Sequence, residues 1–331
     1  MTGSALYASL SANRGNAAEG AISTAKSVRP ALTLFSQHLR WASIEEAIEI
    51  AAKADYGGIA WTVREDAHIS PQRVAVELPR AVELTRRAGL GTASIVTALT
   101  DASSPYAESI LETATGLGIR TYRAQTAYYD YKRGDLPAQL EAARPRVAGL
   151  ARLNERYGAT ALFHTHGGHV AGAAWDTWLL LRDFDPDRVA INFDTGLGMM
   201  QVGIGWKEFV QFARRHIGSL SLKDYHWQQQ AQAGGGRWDA EICQPGRGVV
   251  DFRELFGYFQ STGFHGPAEV QFEYQIKVPG RSTPIGLVAN SVGQKLEMPK
   301  ADYVALLKRD ADFYAARLRE TGLAPMSGIA P

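Results

Sequence analysis

Ala31-Leu-Thr-Leu-Phe-Ser-Gln-His38, Ser43-Ile-Glu-Glu-Ala-Ile-Glu-Ile-Ala-Ala52 and Gly57-Gly-Ile-Ala-Trp-Thr-Val63 follow one another with short gaps, and their order decides the fold. The first and third are short β-rich runs. The middle one repeats its apolar residues at helical spacing behind a Ser43/Glu46 capping box. Strand, helix, strand within about 30 residues is a parallel βαβ unit, because antiparallel strands would need only a tight turn between them. The pattern repeats along the chain. Further strands are expected at Gly91 to Ala98, Arg120 to Thr126, Thr160 to His166, Val189 to Thr195, Ser219 to Asp224 and Ala268 to Tyr274, which makes eight. Leu136 to Tyr157 and Tyr303 to Glu320 are amphipathic helices, while Gly57-Gly58, Gly116-Leu-Gly118 and Gly263 sit where helices must end before strands. Eight such units predict an α/β protein with a single (β/α)8 TIM barrel over residues 30–331, preceded by a flexible leader, residues 1–29.

Composition narrows the function. With 35 basic against 34 acidic residues and a net charge of +1, the chain has no field to gather nucleic acid or an anionic membrane. No apolar run approaches the roughly 20 residues of a spanning helix. Cys243, the only cysteine, cannot form an internal disulfide and is expected to be a bystander. No dinucleotide-binding glycine pattern is present, so no nucleotide cofactor is expected. The leader lacks the basic and apolar regions of a secretory signal. A cytoplasmic location is expected, with the periplasm as the alternative if the leader is the remnant of an export segment. Nothing in the sequence argues against a homo-oligomer.

Two connections exceed what a barrel needs: His226 to Val250, tipped by Gly234-Gly-Gly236, and Gln275 to Pro299. Both follow strands, on the rim where barrel enzymes place their chemistry, and are expected to act as lids or substrate walls, with a mobile tip and Trp227 and Trp238 closing on the substrate. Inert decoration is the alternative.

Six of the eight histidines (His38, His68, His164, His166, His169 and His226) lie at or just after expected strand ends. Only His216 and His265 lie on the other side. Imidazole suits proton transfer and metal binding near neutral pH. Because residues two apart share a side of a strand, four pairs are expected to converge at the barrel mouth: His164 with His166, Asn192 with Asp194, Ser221 with Lys223, and Gln271 with Glu273. A polar plug of ion pairs is the competing explanation for such a cluster. Trp61, Arg64, Arg123, Tyr128, Tyr129 and Trp227 suit sugar stacking and hydroxyl recognition along the same mouth.

Phe193-Asp-Thr-Gly196, Ser219-Leu-Ser-Leu-Lys-Asp224, Pro245-Gly-Arg-Gly-Val-Val-Asp-Phe252 and Gly266-Pro-Ala-Glu-Val-Gln-Phe-Glu-Tyr274 together resemble the xylose-isomerase-like TIM barrels, a family that includes sugar phosphate isomerases and epimerases. The resemblance covers Ala31 to Thr321 and is closest to a divergent branch, some of whose members act on keto-sugars. It implies a divalent cation held by a glutamate, an aspartate, a histidine and a second glutamate from the fifth to eighth strands. Only the aspartate matches, as Asp194. His164, Ser221 and Gln271 stand at the other three positions, and exchanging anionic ligands for neutral groups removes charge that a hard cation wants.

Two arrangements remain open. Either His164 or His166, with Asp194 and Glu273, holds Mn, Mg, Co or Zn, or Lys223 polarises the carbonyl itself. The expected reaction is proton abstraction beside a carbonyl in a sugar or keto-sugar isomerase/epimerase, with His166, Lys223 and Glu273 as catalytic residues. His38, Arg64, His68, Arg123, His226, Trp227 and Gln271 are expected to bind the substrate. A lyase or hydratase acting on 3-keto-glycosides shares the first step. A non-catalytic sugar-binding or partner-subunit barrel is the alternative from another class, and a nuclease fits least, since it would want a basic groove.

Overall fold

The strand sequences alternate between two kinds of neighbour, and that alternation builds the barrel. Residues 31–230, 236–277, 285–286 and 296–328 are described in a computed structural model of the chain. The residues 1–29 read as a leader, two of the three tip glycines and most of the Gln275 to Pro299 connection lie outside the described residues. The strands are β1 Leu32–Phe35, β2 Gly58–Val63, β3 Ser94–Thr97, β4 Thr121–Ala124, β5 Thr160–His164, β6 Val189–Asp194, β7 Ile217–Leu222, β8 Asp224–Gln230, β9 Arg237–Cys243 and β10 Ala268–Val270. Strands β1 to β7 and β10 close into a parallel barrel in the order β1-β10-β7-β6-β5-β4-β3-β2. All eight expected barrel strands are present. The ring closes where Thr33 of β1 faces Glu269 of β10.

One set of alternate residues, including Leu34, Ile59, Trp61, Ile95, Phe193, Leu222 and Val270, joins the apolar layer beneath the helices. That layer is completed by α1 Ile44–Lys53, α2 Val74–Arg87, α3 Ala107–Gly116, α4 Leu136–Tyr157, α5 Ala174–Leu181, α6 Leu197–Val202, α7 Trp206–Ala213, α8 Phe252–Ser261 and α9 Lys300–Thr321. Ser43 caps α1 by accepting from the Glu46 amide at 3.2 Å, as its sequence position predicts. Gly58 is required by close approach, since a Cβ there would lie 2.6 Å from the Gly91 carbonyl oxygen. No helix among the described residues is long and apolar enough to cross a membrane.

The barrel interior is divided. Phe35, Ala60 and Val96, on the first three strands, form a small apolar cluster of their own. The other half carries a continuous hydrogen-bonded belt. Asn192 donates to Ser219 at 2.7 Å, Ser221 donates to Asn192 at 2.8 Å, and Gln271 donates to Ser221 at 3.0 Å and to Glu269 at 2.6 Å. Glu269 is in turn ion-paired with Arg123 at 3.2 Å. Burial of so many polar groups is tolerated because nearly all have a partner close by, Gln271 Oε1 being the buried belt atom without one among the described residues.

The His226 to Val250 connection departs from the expectation of a loop. Most of it is a hairpin, β8 against β9, in register from Asp224 opposite Cys243 to Gln230 opposite Arg237. Tyr225, Trp227 and Gln229 on one strand face Ile242, Ala240 and Trp238 on the other, and cross-strand pairing of this kind supports a ribbon even where the sequence is polar. Cys243 is buried at its base, where burial pushes the thiol up to about 12.

The Pro245-Gly-Arg-Gly248 turn is anchored by Asp224. Its carboxylate accepts from four backbone amides: Tyr225 and Val250 at 2.9 and 3.2 Å, Gly246 and Gly248 at 2.9 Å each. A Cβ on Gly248 would fall 2.1 Å from that carboxylate, so glycine is the residue that allows the contact. Asp224→Ala leaves these buried amides without acceptors and should destabilise the chain by about 2–4 kcal/mol. Urea unfolding measures this, and a loss below about 0.5 kcal/mol would show that the turn does not depend on Asp224.

Candidate active site

Asp194 ends β6, and the turn that follows decides what its carboxylate can reach. Oδ1 accepts from the amides of Gly196 and Leu197 at 2.8 Å each, at the start of α6. Thr195 ties the neighbouring strand end in place, its hydroxyl donating to the Lys223 carbonyl at 2.7 Å and accepting from the Lys223 amide at 2.9 Å. Oδ2 is thereby left for side chains. It accepts from His164 Nε2 at 2.9 Å and lies 2.9 Å from Lys223 Nζ, which also pairs directly with Glu273. Lys223 is 1% exposed and Asp194 fully buried.

The electrostatics follow from this packing. Burial would raise the Asp194 carboxyl, but the Lys223 ammonium and the His164 hydrogen bond hold it well below the usual carboxylate range. Glu273 is likewise lowered against its burial, by Lys223 first and then by His38. Lys223 is raised despite its burial because two carboxylates flank it, so it stays an ammonium. His164 is pushed down to about 4 by burial and is neutral. With Nε2–H donating to Asp194, its Nδ1 carries the lone pair.

A cavity of about 240 Å³ opens above these groups, lined by His164, Gln271, Glu273, Arg64, Arg123 and the His166/His169 pair among others. His166 Nδ1 donates to the Gly167 carbonyl and His169 Nδ1 to the Thr126 carbonyl, at 3.0 Å each, which leaves Nε2 of both rings as acceptors. The rings of His164, His166 and His169 form a chain, with centroids 5.8 and 5.1 Å apart, and Tyr128 lies 4.0 Å from His169. His38 does not line the cavity; its Nε2 accepts from the Phe272 amide at 3.0 Å, while its buried Nδ1 has no partner among the described residues.

The structure separates the remaining expected residues from this cluster. His68 donates to the Leu39 carbonyl at 3.0 Å and packs edge-on against Trp61, away from the cavity. Trp61 points outward rather than to the mouth, its indole donating to Thr85 of α2 at 3.1 Å, because it occupies an outward position of β2. Tyr129 donates to Asp176 at 2.7 Å. His226, 3.9 Å from Glu241, and the half-exposed Trp227 both lie on the hairpin and do not line the cavity. His169 was legible as a rim histidine. Gln37 and Gln125 also line the cavity and carried no sequence signal.

The divalent cation implied by the resemblance finds no matching donor set. Both oxygens of Asp194 are committed, and the Lys223 ammonium occupies the space between Asp194 and Glu273. Among the described residues no group of three or more His, Cys, Asp or Glu is placed to hold a metal. His164 and Asp194, expected as ligands, are bonded to each other instead, and a buried lysine supplies the positive charge.

A closed parallel barrel with acid–base groups gathered at the C-terminal ends of its strands is the plan of a TIM-barrel enzyme. The chain belongs to the xylose isomerase-like TIM barrel family, whose description it matches over residues 48–283. It is similar to inosose dehydratase of Lacticaseibacillus casei, with 26% identity over 151 residues, 40% of this chain and 50% of that protein, so it spans about half the length of the curated relative. Among solved structures it resembles 3-keto-D-glucoside 4-epimerase from E. coli, with TM-score 0.60, 13% identity, and 86% of this chain and 99% of that one covered. A xylose isomerase-like TIM barrel protein from Mycobacterium smegmatis, in complex with magnesium, is as similar in fold: TM-score 0.60, 14% identity, 92% and 98% covered. At these identities the solved structures speak for the fold.

Three histidines largely shielded from water, one of them fully buried, make stability depend on pH. His38, His68 and His164 are each pushed down from 6.5 to about 4, chiefly by burial. Below pH 6.5 the unfolded chain takes up their protons while the folded chain does not until about pH 4, so stability falls with pH across that window. Asp176 and Asp310, raised by burial from 3.8 to about 6, hold protons that the unfolded chain releases, and they offset two histidines below pH 6. His68→Gln keeps a donor for the Leu39 carbonyl and should make the slope shallower by about 1.4 kcal/mol per pH unit. Urea unfolding at a series of pH values tests this, and an unchanged slope would mean that His68 takes up its proton in the folded chain.

Proposed function

We propose that this barrel moves a proton beside the carbonyl of a keto-sugar, with the Lys223 ammonium in the role that a metal ion would otherwise play. The observation that carries the reading is the buried ammonium paired with Asp194 and with Glu273, the latter lining a cavity that His164, His166 and His169 also line. An enediolate forming at the substrate oxygen needs a fixed positive charge in a dry site, and Lys223 supplies one without reorganisation.

Glu273 is the base. Its pairing with Lys223 lowers its basicity in the free site. When a carbonyl oxygen takes up part of the ammonium's hydrogen bonding, that restraint weakens, so basicity appears when substrate binds. Asp194 keeps Lys223 charged and in place. His166 follows β5, three strands around the barrel from β10, and so reaches the substrate from a different side than Glu273. A group on the second face returns the proton at the same carbon in an epimerisation. In a dehydration it protonates the departing hydroxyl. The similarity to 3-keto-D-glucoside 4-epimerase favours the first, and that to inosose dehydratase favours the second; both begin with the same proton abstraction.

Lys223→Met should lower turnover by about 10² to 10³, the cost of losing one oxyanion-stabilising donor. Glu273→Gln should lower it by about 10² or more. The measurement is exchange of the α-hydrogen with deuterated water, run both on 3-keto-glucose and on its 6-carboxylate, 3-keto-glucuronate. Exchange by the parent protein that both variants lose is expected. Absence of exchange in the parent, or full exchange in Glu273→Gln, would contradict the reading.

A further inference from the structure

Arg64 lies just beyond the end of β2 and lines the cavity. Its Nε donates to the Thr97 carbonyl at 2.9 Å, which fixes the guanidinium plane, yet no ion pair among the described residues includes it. The other cavity arginine is neutralised. Arg123 pairs with Glu269 and lies 4.3 Å over the Phe35 ring. Lys223 is matched by two carboxylates. Arg64 is thus the cavity cation that makes no ion pair among the described residues, since Glu269, the acid whose charge reaches it, is already paired with Arg123. Burial, and Arg123 after it, push its guanidinium down to about 10. Burying a charge without a partner is costly, and a bound anion would relieve that cost.

We infer that the substrate carries a carboxylate, received by Arg64, and is therefore a sugar acid or comparable hydroxy acid rather than a neutral sugar. This rests on the reading of the cavity as the substrate site and adds the substrate class. One planar guanidinium fork matches one carboxylate in a two-point contact. A phosphate would call for more donors than a single unpaired arginine provides. The positions agree with the chemistry: β2 and β10 are separated only by β1, so a hexose-sized acid anchored at Arg64 reaches Lys223 and Glu273 with a carbon several bonds from its carboxylate.

Calorimetric titration with matched acids and methyl esters (D-glucuronate, D-galacturonate and quinate, each against its ester) tests the inference on the parent protein, Arg64→Gln and Arg64→Lys. At least one acid should bind the parent 10-fold or more tightly than its ester. Arg64→Gln should bring that ratio close to one, with Arg64→Lys between them. Because each ratio is taken within one protein, a change in overall stability does not imitate the effect. No acid preferred over its ester, or an undiminished preference in Arg64→Gln, overturns the inference. Binding is read without turnover, so the two proposals fail separately: hydrogen exchange without acid preference removes the carboxylate subsite alone, and acid preference without exchange removes the proton transfer and leaves the subsite standing.

Discussion

A lysine ammonium almost completely out of water must be held by opposite charge, and the mouth of this barrel is organised around that requirement. Removing Lys223 from solvent costs several kcal/mol, a cost met only if the carboxylates of Asp194 and Glu273 are placed with good geometry. Asp194 is held by two amides at the start of α6, Thr195 locks the ends of β6 and β7 together, and His164 completes the carboxylate's shell. Removing either carboxylate would leave a buried charge. The same arrangement sets a fixed cation beside a carboxylate, and in the proposed function that carboxylate regains basicity when the cation turns to substrate.

Below the site, the belt from Ser219 through Asn192, Ser221 and Gln271 to Glu269 and Arg123 is the polar plug that competed with a catalytic explanation. The plug and the proposed catalytic cluster lie one layer apart. The plug fills the barrel interior, and the Lys223 cluster sits above it at the strand ends. At two of the expected ligand positions the neutral pair Ser221 and Gln271 belongs to this belt, bonded to each other at 3.0 Å, which accounts for their departure from the family pattern.

Much of this was legible in the chain because it depends on period and register. Inward pairs two residues apart sit opposite one another: His164 faces Asn192 and Asp194 faces Ser221 across adjacent strands, so recognising the strands was enough to bring the four pairs together. Rotation about a strand was harder to read. Trp61 looked like a mouth residue by composition, yet its alternation with Ala60 and Thr62 turns it outward. His68 and His226 lie near strand ends without reaching the cavity, because proximity in sequence does not set direction. The β8–β9 hairpin was missed because Gln228, Gln229 and Gln230 lack the apolar signal of a strand, and pairing across the ribbon supplies what local preference does not. The Arg123–Glu269 pair spans 146 positions, beyond what local pattern reveals.

The central claim is that a lysine stands in for the metal ion. Its direct test is elemental analysis of the purified protein together with turnover before and after dialysis against a strong chelator. Substoichiometric metal, activity unchanged by chelation, and a Lys223→Met variant that Mn, Mg, Co and Zn all fail to rescue are the expected results. One tightly bound metal per chain, whose removal abolishes activity and whose return restores it, would contradict the account.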